Sequence, residues 1–167
     1  MFTYLNTLST EECRDILQKC CGSQRWVEKM IENRPYRSTQ QVTQLAKNIW
    51  DALNKVDYLE AFSHHPKIGA DISALKTKFR TTHSLSKAEQ SGVSSASDEV
   101  LQALAQGNIE YEIKFGYIFI VCATGKSAAQ MLSLLQKRLP NSPDDELKIA
   151  ANEQLKITLL RLEKLTT

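Results

Sequence analysis

The chain has 167 residues, a length that fits one domain and lets a single core bury roughly 70% of the surface the unfolded chain exposes. With 42% hydrophobic and 24% charged residues, and only six Gly and four Pro, it excludes wholesale disorder, collagen-like repeats and a turn-rich β-sandwich. Lys and Arg number 21 against 19 Asp and Glu, a net charge of +2, too little for a protein whose main task is to hold a phosphate backbone.

In chain order, Ser9-Thr10-Glu11-Glu12 has the spacing of a capping box, which predicts a helix to about Cys20, stopped by Gly22. Ser23 to Asn33 reads as a second helix with Trp26, Val27 and Met30 inward, closed by Pro35. Ser38-Thr39-Gln40-Gln41 repeats the capping-box spacing, and behind it Val42, Leu45, Ala46, Ile49, Leu53 and Val56 recur at steps of three and four, predicting one long amphipathic helix. Tyr58 to Phe62 fits a short helical turn, after which His64-His65-Pro66-Lys67-Ile68-Gly69 breaks the period. Asp71 to Phe79 is read as helical and Arg80 to Leu85 as loop; Ser86-Lys87-Ala88-Glu89 opens a helix, and Ser97-Asp98-Glu99 opens another that Gly107-Asn108 should cap.

Phe115 to Cys122 reads as a strand, β-branched and aromatic, yet no second strand is there to pair with it. It is therefore either irregular extended chain between helices or a helix disguised by its propensities. Ser127 to Arg138 and the segment from Ser142-Pro143 to about Leu165 are the last helices, the latter with Leu147, Ala151, Leu155, Leu159 and Leu162 repeating. The fold expected is all-α: a single domain over 1–167, a bundle of seven to nine helices with one extended apolar segment near 115–123.

The four cysteines, Cys13, Cys20, Cys21 and Cys122, form no CxxC pair. With no leader recognisable at the N-terminus, they are expected to be reduced thiols in a cytoplasmic protein. The apolar run Tyr117 to Ala123 is too short to cross a bilayer, and Leu165-Thr166-Thr167 is no Ser-Lys-Leu peroxisomal address.

For chemistry, the sharpest feature is His65 ahead of Pro66. Proline pushes its predecessor out of helical geometry, so His65 should stand in stiff extended chain, able to exchange a proton near neutral pH. It reads equally as a helix C-terminal histidine capping carbonyls, and spacing alone does not separate it from His64. Glu89 is either the cap partner of Ser86 or, with Ser86 and Gln90, the lining of a pocket at a helix N-terminus. Arg161 either lays its stem along the apolar stripe of the last helix or forks onto a carboxylate. Adjacent histidines point to opposite sides and no HxxxH is present, so no metal is expected. Gly125-Lys126-Ser127 lacks the first glycine of a phosphate loop, because position 120 is Ile120. Cys122 lies in an apolar stretch, a setting that disfavours a thiolate nucleophile.

Taken together, His65-Pro66-Lys67-Ile68-Gly69, then Ser86-x-x-Glu89-Gln90, then Phe115 to Ala123 (FGYIFIVCA), then Arg161-Leu162 resemble the OHCU decarboxylase family along essentially the whole chain. That family acts on 2-oxo-4-hydroxy-4-carboxy-5-ureidoimidazoline in urate degradation. The resemblance implies an all-α homodimer of bacterial, cytoplasmic type that needs no cofactor and releases CO2 to leave (S)-allantoin. By motif position it implies His65 as catalytic acid with Glu89 beside it. The implied substrate pocket comprises Pro66, Ser86, Lys87, Ala88, Glu89, Gln90, Phe119, Ile120, Val121, Cys122, Ala123 and Arg161. The chemistry agrees with this: the ring's own C=N or C=O can take the electrons left by CO2, so neither pyridoxal phosphate nor thiamine is required. Partners expected are the small ureidoimidazoline and a second copy of the chain, with no nucleic acid and no membrane. A non-enzymatic helical interaction module and a hydrolase of a related ureide are the competing readings.

Overall fold

The computed structural model describes residues 1–65 and 90–166, with the backbone alone for 90–97 and 166. Among the described residues all regular structure is helical. The helices are α1 Phe2–Thr7, α2 Thr10–Cys21, α3 Gln24–Glu32, α4 Thr39–Asp51, α5 Lys55–Ser63, α6 Gln90–Phe115, α7 Ala128–Arg138 and α8 Pro143–Glu163, followed by a 3-10 turn, Lys164–Thr166. The all-α expectation holds. The segments predicted for 71–79, 80–85 and the helix start at Ser86 lie outside the described residues. The chain forms two compact units, Met1–His65 with Leu147–Thr167, and Pro66–Glu146.

In the first unit, local chemistry sets the helix ends. The Ser9 side chain accepts from the Glu12 amide and Glu12 accepts from the Ser9 amide, a complete capping box for α2, and Gly22 ends it in the left-handed region. Ser23 caps α3, which buries Trp26, Val27 and Met30 as its sequence predicts. Two buried indoles tie the unit together: Trp26 Nε1 donates to the Ala46 carbonyl and Trp50 Nε1 to the Ala151 carbonyl, both at 3.0 Å. The helix α1 was not foreseen; its six residues are short of a full amphipathic period, and only Leu5 is buried.

Three expectations in this unit are corrected. The helix predicted through Val56 ends at Asp51, because Asn54 takes the amides of Val56 and Asp57 and starts α5; Val56 is 75% exposed. The cap at Ser38 is half a box: Ser38 accepts from the Gln41 amide, but the Gln41 side chain accepts from the Arg37 amide. On α8, Ala151 and Leu162 of the predicted stripe are buried but Leu147, Leu155 and Leu159 are only half-buried, and a second buried line runs through Glu146, Ala150, Gln154 and Thr158. The helix thus buries three polar residues, Glu146, Gln154 and Thr158, beside part of its apolar stripe.

In the second unit, α6 runs unbroken from Gln90 to Phe115, so neither the start expected at Ser97 nor the stop at Gly107-Asn108 exists. Gly107 is there for packing: a Cβ on it would come within 2.7 Å of Leu135 Cδ2 on α7. Asn108 stays helical by donating to the Leu104 carbonyl at 2.7 Å. The strand predicted over Phe115 to Cys122 is irregular extended chain after Gly116, the first of the two alternatives. α7 begins at a capping box between Ser127 and Gln130 and buries Met131, Leu135 and Arg138.

Candidate functional site

His64 and His65 close α5: their amides donate to Ala61 and Phe62 carbonyls at 3.3 and 3.1 Å. Spacing left the two histidines equivalent, and their surroundings separate them. His64 is exposed and lies against Gly22, whose φ is +88° and where a Cβ would fall 2.9 Å from His64 Cβ. His65 is half-buried, and its Nε2 lies 2.6 Å from Gln154 Oε1.

Gln154 is fully buried, and its Nε2 donates to the Cys21 carbonyl at 3.3 Å and to Thr158 Oγ1 at 3.2 Å. About two turns further along α8, Arg161 Nη1 donates to the carbonyls of Lys19 and Cys20 at 3.1 and 3.2 Å. Side chains from α8 thus take the last carbonyls of α2, groups that have no partner inside their own helix. A guanidinium at that end also complements the helix dipole. Arg161 therefore has a capping task, distinct from both the stem packing and the carboxylate fork expected of it. An open cleft of about 570 Å³ lies here, lined by Asp15, Gln18, Lys19, His64 and Arg161. The nearby thiols are quiet, since burial pushes Cys20 up to about 11 and Cys21 up to about 12.

In the second unit, Phe119, Ile120, Val121 and Cys122 are buried and Ala123 half-buried. The segment is held from inside by a charged network that sequence reading missed. Arg138 donates from Nη1 to the Ile120 carbonyl at 2.8 Å and from Nε to Glu146 Oε1 at 2.7 Å. The Tyr111 hydroxyl donates to the same Glu146 oxygen at 2.5 Å, and Asn141 Nδ2 donates to Oε2 at 2.7 Å. The Arg138 guanidinium stacks 4.6 Å from the Phe119 ring centroid. Burial, then the bond to Glu146, holds the Tyr111 hydroxyl far above the usual phenol range, so it remains a donor. Lys126 takes two further carbonyls, Cys122 through Nζ at 2.8 Å and Ala123 through its amide at 3.0 Å.

Of the residues singled out by sequence, His65 and Arg161 lie in the first unit, and Phe119 through Ala123 in the second. Pro66, Ser86, Lys87, Ala88 and Glu89 lie outside the described residues, and Gln90 is described only as the first residue of α6. Gln154, Thr158, Arg138 and Glu146 were missed. The signal was present for α8: Glu146, Gln154 and Thr158 fall on one helical line at multiples of four, and a polar line opposite a leucine line is readable as a buried network only once partners are seen. Among the described residues, no group of three or more His, Cys, Asp or Glu gathers as a metal site, and no helix is long and apolar enough to cross a membrane.

A family model described as OHCU decarboxylase matches residues 6–163. The chain belongs to the OHCU decarboxylase family. This family member is 40% identical over 159 residues to the uric acid degradation bifunctional protein TTL of Arabidopsis thaliana, a match covering 95% of this chain and 48% of that protein. It is 26% identical over 162 residues to the uric acid degradation bifunctional protein of a Bacillus species, covering 96% of this chain and 31% of that one. It therefore spans about half or less of the length of these bifunctional relatives. It also resembles a crystal structure of OHCU decarboxylase in the presence of (S)-allantoin, with 40% identity and a TM-score of 0.71 over 90% of this chain and 96% of that chain.

Proposed function

We propose that this chain, as one domain, decarboxylates 2-oxo-4-hydroxy-4-carboxy-5-ureidoimidazoline to (S)-allantoin and CO2 in urate degradation, with His65 as the acid. The observation that carries the reading is the setting of His65: a half-buried imidazole at a helix end, gripped by a buried amide, in a chain of the OHCU decarboxylase family. The solved relative at 40% identity was crystallised with (S)-allantoin, the product this reaction would give.

In the reaction the bond from the ring carbon to the carboxylate breaks. Its electron pair forms a bond to the neighbouring C=N carbon, whose π pair moves onto nitrogen and is protonated there. CO2 departs, and the enol left behind becomes a C=O as its hydroxyl gives up a proton and the former C=N carbon gains one. Replacing a carboxylate by hydrogen consumes one net proton per turnover. His65 supplies the proton gained by carbon on one face, which fixes the hand of the product. The protein's remaining contribution is orientation and polar groups aimed at the developing charge. Glu89 orients or backs the imidazole. Pro66, Ser86, Lys87, Ala88, Gln90 and the backbone of Phe119, Ile120, Val121, Cys122 and Ala123 line the substrate. The Arg138–Glu146 pair keeps the extended segment in one conformation by holding the Ile120 carbonyl. Arg161, half-buried beside the cleft, binds a substrate carbonyl or carboxylate with the edge of its guanidinium not used on α2. The protein works as a cytoplasmic homodimer, a reading supported by the exposed Ile109 and Ile113, one turn apart on α6.

The test mixes freshly generated substrate, which decays spontaneously, with the protein while CO2 and the optical activity of the product are followed. Rapid CO2 release with a single enantiomer of allantoin supports the proposal. Racemic product at the uncatalysed rate points to an interaction module, and ammonia or urea in place of CO2 points to a ureide hydrolase.

A further inference from the structure

The amide of Gln154 does more than fill a buried position. The Cys21 carbonyl can only accept, so the Gln154 atom 3.3 Å from it is the donating Nε2. Rotating the amide would set two acceptor oxygens against each other. Oε1 therefore faces the ring, 2.6 Å from His65 Nε2, and a carbonyl oxygen at that distance requires a hydrogen on Nε2. The Thr158 hydroxyl, itself buried, takes the second Gln154 proton at 3.2 Å and locks the amide from its other side. The chain of constraints runs from the end of α2, through two residues one turn apart on α8, to the histidine that ends α5.

We infer that Gln154 is a positioning residue: it fixes neutral His65 as the Nε2–H tautomer, so that the proton His65 gains and loses in the reaction is the one on Nδ1. The catalytic part of this inference rests on the decarboxylase reading; the tautomer does not. A buried glutamine that held the helices together would leave the ring free to adopt either tautomer. One that dictates the tautomer determines which nitrogen delivers the proton. Its loss then lowers the fraction of His65 presenting the correct nitrogen and leaves substrate binding alone.

The test has two arms on the intact chain. In the first, long-range proton–nitrogen correlation spectra of the 15N-labelled protein, taken well above the histidine titration range, report each ring's tautomer. His64→Gln and His83→Gln variants assign the signals, since the chain has three histidines. The expected result is a His65 ring protonated on Nε2; a ring protonated on Nδ1 overturns the inference whether or not the protein is active. In the second arm, Gln154→Met, which keeps the side-chain length, should mix the two tautomers and lower kcat at least about tenfold with KM within about twofold. An unchanged kcat, or a loss confined to KM, overturns the positioning role. A wild-type protein that shows Nε2–H and no decarboxylation retains the tautomer assignment and refutes the proposed function instead. Should the variant fail to fold, the wild-type spectrum alone still decides.

Discussion

Replacing Gly22 by alanine probes the corner where α2, α5 and α8 meet, and the structure supplies its own control. Gly22 and Gly116 both end helices in the left-handed region, at φ of +88° and +78°. An alanine at either position bears the left-handed penalty of about 1–2 kcal/mol. At Gly116 nothing lies within 4 Å of the added Cβ, so that penalty is the whole cost. At Gly22 the Cβ would also stand 2.9, 3.1 and 3.2 Å from His64 Cβ, Cγ and Cδ2. The first of these is backbone-anchored and cannot swing away as a side-chain tip does. Overpacking of this kind costs a further ~1–3 kcal/mol. Urea melts should therefore rank wild type above Gly116→Ala above Gly22→Ala, with about 2–5 kcal/mol lost in the last. Because moving His64 drags the adjacent His65 from Gln154, turnover by folded Gly22→Ala should fall as well, while folded Gly116→Ala keeps its Gln154–His65 contact. Equal losses in the two variants would refute the close approach of α2 to α5.

Arg138→Met should cost about 3–5 kcal/mol, because it leaves the fully buried Glu146 carboxylate without its cation and the Ile120 carbonyl without its donor; Tyr111→Phe, which removes one of several donors to Glu146, should cost about 1–3 kcal/mol, and chemical denaturation that ranks them the other way contradicts the network. Cys20 and Cys21 rise from 9.0 to about 11 and about 12 in the folded chain. Between pH 9 and these values the unfolded chain loses thiol protons that the folded chain keeps, so stability should be full below pH 9 and fall as pH climbs through that window, as read by denaturation at stepped pH. Replacing both cysteines by Ala should flatten that slope. Allantoin at about tenfold over its Kd should raise the melting temperature by about 3–6 °C, corresponding to about 1.4 kcal/mol of linkage, and no shift at any concentration would favour an interaction module.

Where the sequence was legible, the reason is local. Ser9 with Glu12, Ser23 ahead of Trp26, and Gly22 after Cys21 each solve a helix end within four residues, and those ends lie where the pattern puts them. The reading went astray where a distant partner overrules the local signal. Gly107-Asn108 has the chemistry of a helix stop, yet α6 passes through it: the Leu135 side chain packs into the space beside Gly107, and Asn108 donates back to the Leu104 carbonyl within the helix. Leu53 and Val56 continue the stripe of α4 in register, but Asn54 captures the next amides and begins a new helix. The leucines of α8 advertise a core face, while the polar residues between them meet Cys21, His65 and Arg138, contacts 133, 89 and 8 residues away in sequence. For the candidate site, His65 stands out because of the proline that follows it, and Arg161 for its place on the last helix. Gln154 does not, since a lone glutamine carries no motif and acquires meaning only from what it touches.

The most direct measurement is turnover of freshly generated substrate by His65→Asn beside His64→Asn, with helicity monitored by circular dichroism. Both variants should keep the wild-type spectrum. His65→Asn should lose CO2 release and enantiomeric excess in the product by at least about 100-fold, as expected for removal of a general acid, while His64→Asn should remain active. Near-normal, single-handed allantoin production by folded His65→Asn would remove this imidazole from the chemistry and contradict the mechanism at its centre.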